Sequence, residues 1–150
     1  MRMRYVLVSC LLVCLNLSSA NAQLIMGDSI YESLSSAPGD VTRGRAIVAS
    51  RQTGLCLLCH SGPFPEERFQ GNIAPDLMSS VSQYSAPQLR ARLVDASHFN
   101  SNTIMPAYYR TDHLVQVAPK FAGQTILNGQ EIEDVVAFLL TLNAANQSSK

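Results

Sequence analysis

An all-α fold is expected of this 150-residue chain, with about three to five helices and long loops closing around a bound group. Three observations predict it. Well-capped helix starts stand at Asp40, Ser85 and Asn128. Residues 61–75 hold three prolines and two glycines and no helical or strand periodicity, so the backbone there must pass around something. Between the first helix and that loop lies Cys56-Leu57-Leu58-Cys59-His60, two cysteines three apart with histidine directly after the second.

That motif is the haem-attachment pattern. Two thiols at this spacing reach both vinyl groups of one macrocycle and form thioethers. The following histidine then lies under the iron as proximal ligand. Zinc is the first competing reading, but a structural zinc site needs four Cys, His or carboxylate ligands. Beyond the motif, residues 23–150 contain no other cysteine, and their remaining histidines are only His98 and His113. A thioredoxin-like pair is the second, and no βαβ pattern surrounds the motif.

The start of the chain agrees with the motif. Met1-Arg2-Met3-Arg4 is basic, residues 5–17 are an apolar run, and Ala20-Asn21-Ala22 offers a small-residue cleavage site. Residues 1–22 therefore read as a secretory signal peptide, cut before Gln23. The run is short for a membrane span of roughly 20 residues. Cys10 and Cys14 leave with it, and the expected location is the periplasm. Haem is attached covalently outside the bacterial cytoplasmic membrane, which suits this address. Residues 23–150, 128 in all, suit one domain. Losing Arg2 and Arg4 from eleven basic residues leaves nine against eleven acidic, a net charge of −2. Nucleic acid and membrane are not expected partners. Tryptophan is absent, with five Phe and five Tyr, so a large apolar cofactor would add much to the core.

Taken in order, residues 23–39 form an N-terminal arm, in which Leu24, Ile25 and Ile30 can pack or dock. The domain proper covers residues 40–143. Asp40 is a good N-cap because its carboxylate accepts from first-turn amides. Gly54 is the expected helix stop. Gly44 costs this helix about 1 kcal/mol relative to alanine, which suggests that another helix crosses there. Pro75 offers a carbonyl without a competing amide. It is either a simple turn or the acceptor for the second ring nitrogen of His60. The second helix starts at Ser85 and runs to about Asp95, with Leu89, Leu93 and Val94 on one face and Arg90 and Arg92 in solvent.

Met105 precedes Pro106 and is therefore held in extended geometry. A thioether presented on such a loop can reach the sixth position of a haem iron. Met78 is a weaker methionine candidate, and His98 and His113 are the bis-histidine alternatives. Tyr108, Tyr109 and Arg110 are either partners of the haem propionates or a surface loop. Residues 112–125 are a connector with short extended pieces. Asn128 and Glu131 then form a capping box. Ile132, Val135, Val136, Leu139 and Leu140 recur at helical spacing. That helix is expected to end near Asn143, leaving residues 144–150 as a polar tail.

A helix, the Cys/His motif, a proline loop, a Met-Pro loop and a terminal amphipathic helix in this order resemble a class I cytochrome c domain, in which first and last helices cross closely. Gly44 and the Val136/Leu140 stripe fit that crossing. The likeness extends to the SoxX family. It rests on residues 44–48, 56–63, 71–77, 88–90, 102–110 and 133–139, including Thr103-Ile104-Met105-Pro106-Ala107-Tyr108-Tyr109-Arg110. It covers about residues 40–142.

This resemblance implies one covalent haem c on Cys56 and Cys59, with iron ligands His60 and Met105 and no catalytic residue of its own. It implies a heterodimer with a SoxA-type cytochrome, together a SoxAX L-cysteine S-thiosulfotransferase of bacterial sulfur oxidation. Such a complex joins thiosulfate to a cysteine of the carrier SoxYZ. The SoxX-type subunit accepts electrons and passes them to a downstream cytochrome c. Two other classes compete: a free periplasmic monohaem carrier, and a haem protein with an open sixth position. Met105 argues against the latter.

Overall fold

The computed structural model describes residues 25–148, with side chains through residue 142. The expected signal segment, Leu24 and the last two residues lie outside the described residues. Among the described residues four helices make the frame: α1 (Val41–Ala49), α2 (Leu77–Val81), α3 (Ala86–Val94) and α4 (Gly129–Ser148). Three 3-10 turns join them, at Cys56–Leu58, Ala96–His98 and Pro119–Phe121. No strand occurs among the described residues, only an isolated bridge between Met26 and Ser29. None of the described helices is long and apolar enough to cross a membrane.

α1 starts as its sequence directs. The Asp40 carboxylate accepts from the Arg43 amide at 2.7 Å. It ends earlier than the expected stop at Gly54. Ser50 is its C-cap, with extended backbone, and its hydroxyl accepts from the Gln52 and Thr53 amides. A serine side chain that satisfies amides locally competes with the helix ladder.

Gly44 is buried where α4 crosses α1. A Cβ there would overlap the Asp134 carbonyl oxygen and sit 2.9 Å from Phe138 Cβ. The crossing at Gly44 therefore lies at Asp134 and Phe138, not on the Val136/Leu140 stripe; Val136 is buried in the core with Val135 and Leu139. A Gly44→Val variant is expected to be destabilised by at least about 3 kcal/mol, the upper range for overpacking. The obstacle is backbone, which cannot rotate away. Thermal unfolding reads this directly.

α2 was not anticipated. Its five residues are too few to set a period, but Asp76 caps it by accepting from the Met78 amide at 2.9 Å. α3 starts at the expected N-cap Ser85, whose amide donates to Gln88 Oε1 at 2.9 Å. Its Leu89, Leu93 and Val94 are buried as expected.

Arg90 corrects the reading that it lies in solvent. It is buried, and its Nε and Nη2 donate to the two Glu133 carboxylate oxygens at 2.7 and 2.8 Å. Its Nη1 donates to the Ile30 carbonyl at 2.7 Å. That last bond explains the burial: the N-terminal arm crosses α3 and caps the arginine. Ile30 packs on Ala91 and Val94, and the Leu34 amide donates to Glu133 at 2.9 Å. Burial alone would raise the Glu133 carboxyl; the bonds from Arg90 and the Leu34 amide outweigh it and hold the carboxyl below its ordinary value. Asp134 is also held low, first by hydrogen bonds from Arg43 at 2.7 and 2.9 Å.

The connector before α4 forms bends and one 3-10 turn, with His113 and Gln116 in the left-handed region. The capping box of α4 forms as expected: Asn128 Oδ1 accepts from the Glu131 amide, and Glu131 accepts from the Asn128 amide. The helix continues past Asn143 to Ser148. Ala144 and Ala145 are strong helix formers and no Gly or Pro follows.

Candidate functional site

Leu55, in the left-handed region at φ 59°, turns the chain into the 3-10 turn at Cys56. The Cys56 carbonyl then accepts both the Cys59 amide at 3.1 Å and the His60 amide at 2.9 Å. This tight turn directs Cys56, Cys59 and His60 toward one region. Among the described residues neither cysteine is paired in a disulfide. Burial pushes the Cys56 thiol up to about 11, so it is a neutral thiol in the bare chain.

The loop over residues 61–75 wraps the motif as its lack of periodicity suggested. Gly71 donates to the Leu57 carbonyl at 2.8 Å and Ala74 to the Cys59 carbonyl at 3.0 Å. Gly71 must be glycine, because a Cβ would overlap the backbone at Leu58 and Cys59. Gln70 braces the loop from inside. Its Oε1 accepts from the Gly62 amide, and its Nε2 donates to the Phe64 and Glu67 carbonyls.

The loop ends at Pro75, whose carbonyl lies 2.6 Å from His60 Nδ1. A carbonyl only accepts, so Nδ1 carries the proton and Nε2 keeps its lone pair. Of the two readings of Pro75, the acceptor is the one the geometry realises.

Two adjoining cavities meet at this motif, of about 160 and 530 Å³. Cys56, His60, Met105 and Tyr108 line both, and Cys59 lines the larger. The inner walls are aliphatic: Val48, Leu77, Val81, Leu89, Leu93, Val135 and Leu139. Met105 reaches the cavities from a non-helical segment, its amide bound to Thr103 Oγ1 at 3.1 Å.

The residues present fit a covalently attached haem. Two thiols, an imidazole with a free Nε2 and a thioether face a space with apolar walls. The larger volume, about 530 Å³, falls in the size range of cofactor sites, about 300–1,000 Å³, and the smaller extends it inward. Among the described residues, no three His, Cys, Asp or Glu side chains converge on one point.

The alternative ligands lie elsewhere. Met78, His98 and His113 line neither cavity. His98 stacks edge-on with Phe99, and His113 is exposed beside Asp112.

Tyr108 and Arg110 have roles the sequence did not reveal. Tyr108 is buried, and its hydroxyl donates to the Gly54 carbonyl at 2.6 Å, bolting the Met105 loop to the cysteine motif. Burial pushes this phenol well above its ordinary value. Arg110 turns away from the cavities. Its Nε lies 3.1 Å from Asp95 Oδ2, and its Nη2 donates to Ser97 Oγ. Asp95, fifteen residues earlier, gives no sequence signal for this pairing. Arg92, read as solvated, is half-buried and lines the inner cavity.

No protein-family profile matches the chain, and no curated protein does. Among solved structures, it matches a chain of the crystal structure of SoxXA from P. pantotrophus. The identity is 35%, the TM-score 0.72, and the match covers 80% of this chain and 93% of that one. The chain belongs to the SoxX family. Its all-helical frame is the class I cytochrome c fold. The SoxX-like stretches include the turn at Cys56, the Pro75 carbonyl and the Met105 loop, which the fold gathers around the two cavities.

Proposed function

We propose that this SoxX-family chain is the electron-accepting cytochrome subunit of a SoxAX-type thiosulfotransferase, working in the periplasm behind a cleaved signal peptide. The observation that carries the proposal is the joint placement of Cys56, His60 and Met105 on both cavities. Cys56 and Cys59 would hold one haem c through thioethers. His60 and Met105 would bind its iron. Bound there, haem supplies reversible one-electron uptake.

The chain's own residues set the conditions for that chemistry. Pro75 fixes the His60 ring and its tautomer and increases the basicity of Nε2. Tyr108 holds the Met105 loop at a set distance from Cys56. The aliphatic wall excludes water, and a thioether ligand in such a site raises the reduction potential.

The balance of the assembly's reaction explains why an acceptor is needed. Joining a cysteine thiol to thiosulfate forms one S–S bond and releases one proton and two electrons. Residues 23–150 have no cysteine beyond the two thioether positions, so the sulfur chemistry belongs to the SoxA-type partner. This chain would take the electrons one at a time and pass them to a downstream cytochrome c.

A free carrier is the second reading. Against it stands the rim of the larger cavity, where Leu58, Ile73 and Ile104 are exposed. Apolar side chains grouped at a site edge suit a partner that covers them.

Ligation is tested spectroscopically. The oxidised holoprotein is expected to show the weak far-red methionine-to-iron band, and Met105→Ala to abolish it. A wild-type spectrum of bis-histidine type would contradict Met105 and require His98 or His113 to leave its observed position.

A further inference from the structure

We propose that Arg92 binds the carboxylates of the haem and raises the reduction potential of the site; this rests on the haem reading above. Haem is apolar apart from two propionates. Placed at an apolar cavity, those anions need a cation, hydrogen-bond donors or water. Of the described side chains lining the two cavities, Arg92 alone carries a fixed charge. It stands on α3 beside Leu93, one turn after Leu89, and both leucines belong to the same wall.

The guanidinium is held in place before any ligand arrives. Its central carbon lies 3.8 Å from the centre of the Tyr84 ring and 4.4 Å from that of Phe99. Stacking between two rings favours arginine, because its plane is flat and weakly hydrated. Nη1 donates to the Gln88 carbonyl at 3.1 Å and lies 3.5 Å from the Asp28 carbonyl.

Nε and Nη2 make no hydrogen bond among the described residues. Arginine's donors form a fork that matches a carboxylate. Asp28 is the nearest competing anion, but its carboxylate accepts from Gln88 Nε2 and Ser29 Oγ, not from Arg92. Arg110, the other nearby arginine, is committed to Asp95 and Ser97.

A propionate disfavours added negative charge at the iron, and the effect is strong where the dielectric is low. Pairing it with Arg92 offsets that charge. Electron uptake then becomes easier.

The test uses the mature holoprotein with its haem attached. Midpoint potentials are compared for wild type, Arg92→Gln, Arg92→Lys and Arg110→Gln, with redox-difference infrared spectra of the propionate bands. Arg92→Gln should lower the potential and shift a propionate band. Arg92→Lys, which keeps charge but not the fork, should shift the band with a smaller drop in potential, and it carries the test if Arg92→Gln does not fold. Arg110→Gln should change neither. Unchanged potential and bands in both Arg92 variants would overturn the proposal, as would an equal drop in Arg110→Gln. Should wild type lose its haem to acid–acetone, the haem reading itself fails, an outcome separate from any result with Arg92.

Discussion

Replacing Cys56 and Cys59 together with serine leaves a chain that carries no covalent haem and does not hold its fold. Seven aliphatic side chains line the inner cavity. An unfilled apolar cavity of 160 Å³ costs about 4 kcal/mol at ~24 cal/mol per Å³. Total domain stabilities are only about 5–15 kcal/mol. Losing the larger adjoining space as well would bring the native state close to zero stability. Intact mass after acid–acetone extraction reads the attachment, and far-UV circular dichroism reads the fold. A double variant with native helix content and tightly retained haem would refute the thioether assignment.

Arg90→Leu is expected to cost about 3–5 kcal/mol at neutral pH, because it leaves the buried Glu133 carboxylate without its cation. The arm should loosen in the same variant, since Arg90 also holds the Ile30 carbonyl. The pH dependence has a definite sign. In the wild type the folded Glu133 pKa is depressed, so this carboxylate contributes stability above its unfolded value of about 4.3. That contribution is lost as pH falls through the folded value. In the variant, burial acts without Arg90 and the carboxyl takes up its proton more readily. The gap between wild type and variant should therefore narrow from pH 7 to pH 4 in urea unfolding of the holoproteins. Adding Glu133→Leu should recover part of the loss at pH 7. A gap that is constant with pH would mean that Glu133 is not the unpaired charge.

What the sequence made legible were the features written in local chemistry. Asp40, Ser85 and the Asn128/Glu131 pair act on amides within three residues, so capping patterns placed three helix starts. Pro106 constrains Met105 directly, and the Cys/His spacing is itself a ruler. The features it hid depend on distant partners. Arg90 looked like a surface residue because its ion pair lies forty-three positions away and its cover comes from the arm. Arg110 and Tyr108 read either as propionate partners or as a surface loop; one pairs with Asp95 and the other bonds to Gly54. Gly44 announced a close crossing but not its register, because a glycine marks only one side of a contact. α4 ran on past Asn143 because polarity alone does not stop a helix.

Whether the chain accepts electrons from thiosulfate oxidation through a SoxA-type partner is read most directly by stopped-flow absorbance of the oxidised holoprotein mixed with SoxA, reduced SoxYZ and thiosulfate, each omitted in turn. Reduction of the haem is expected only when all three are present. Equal reduction without SoxA would contradict that route and make the chain a free carrier.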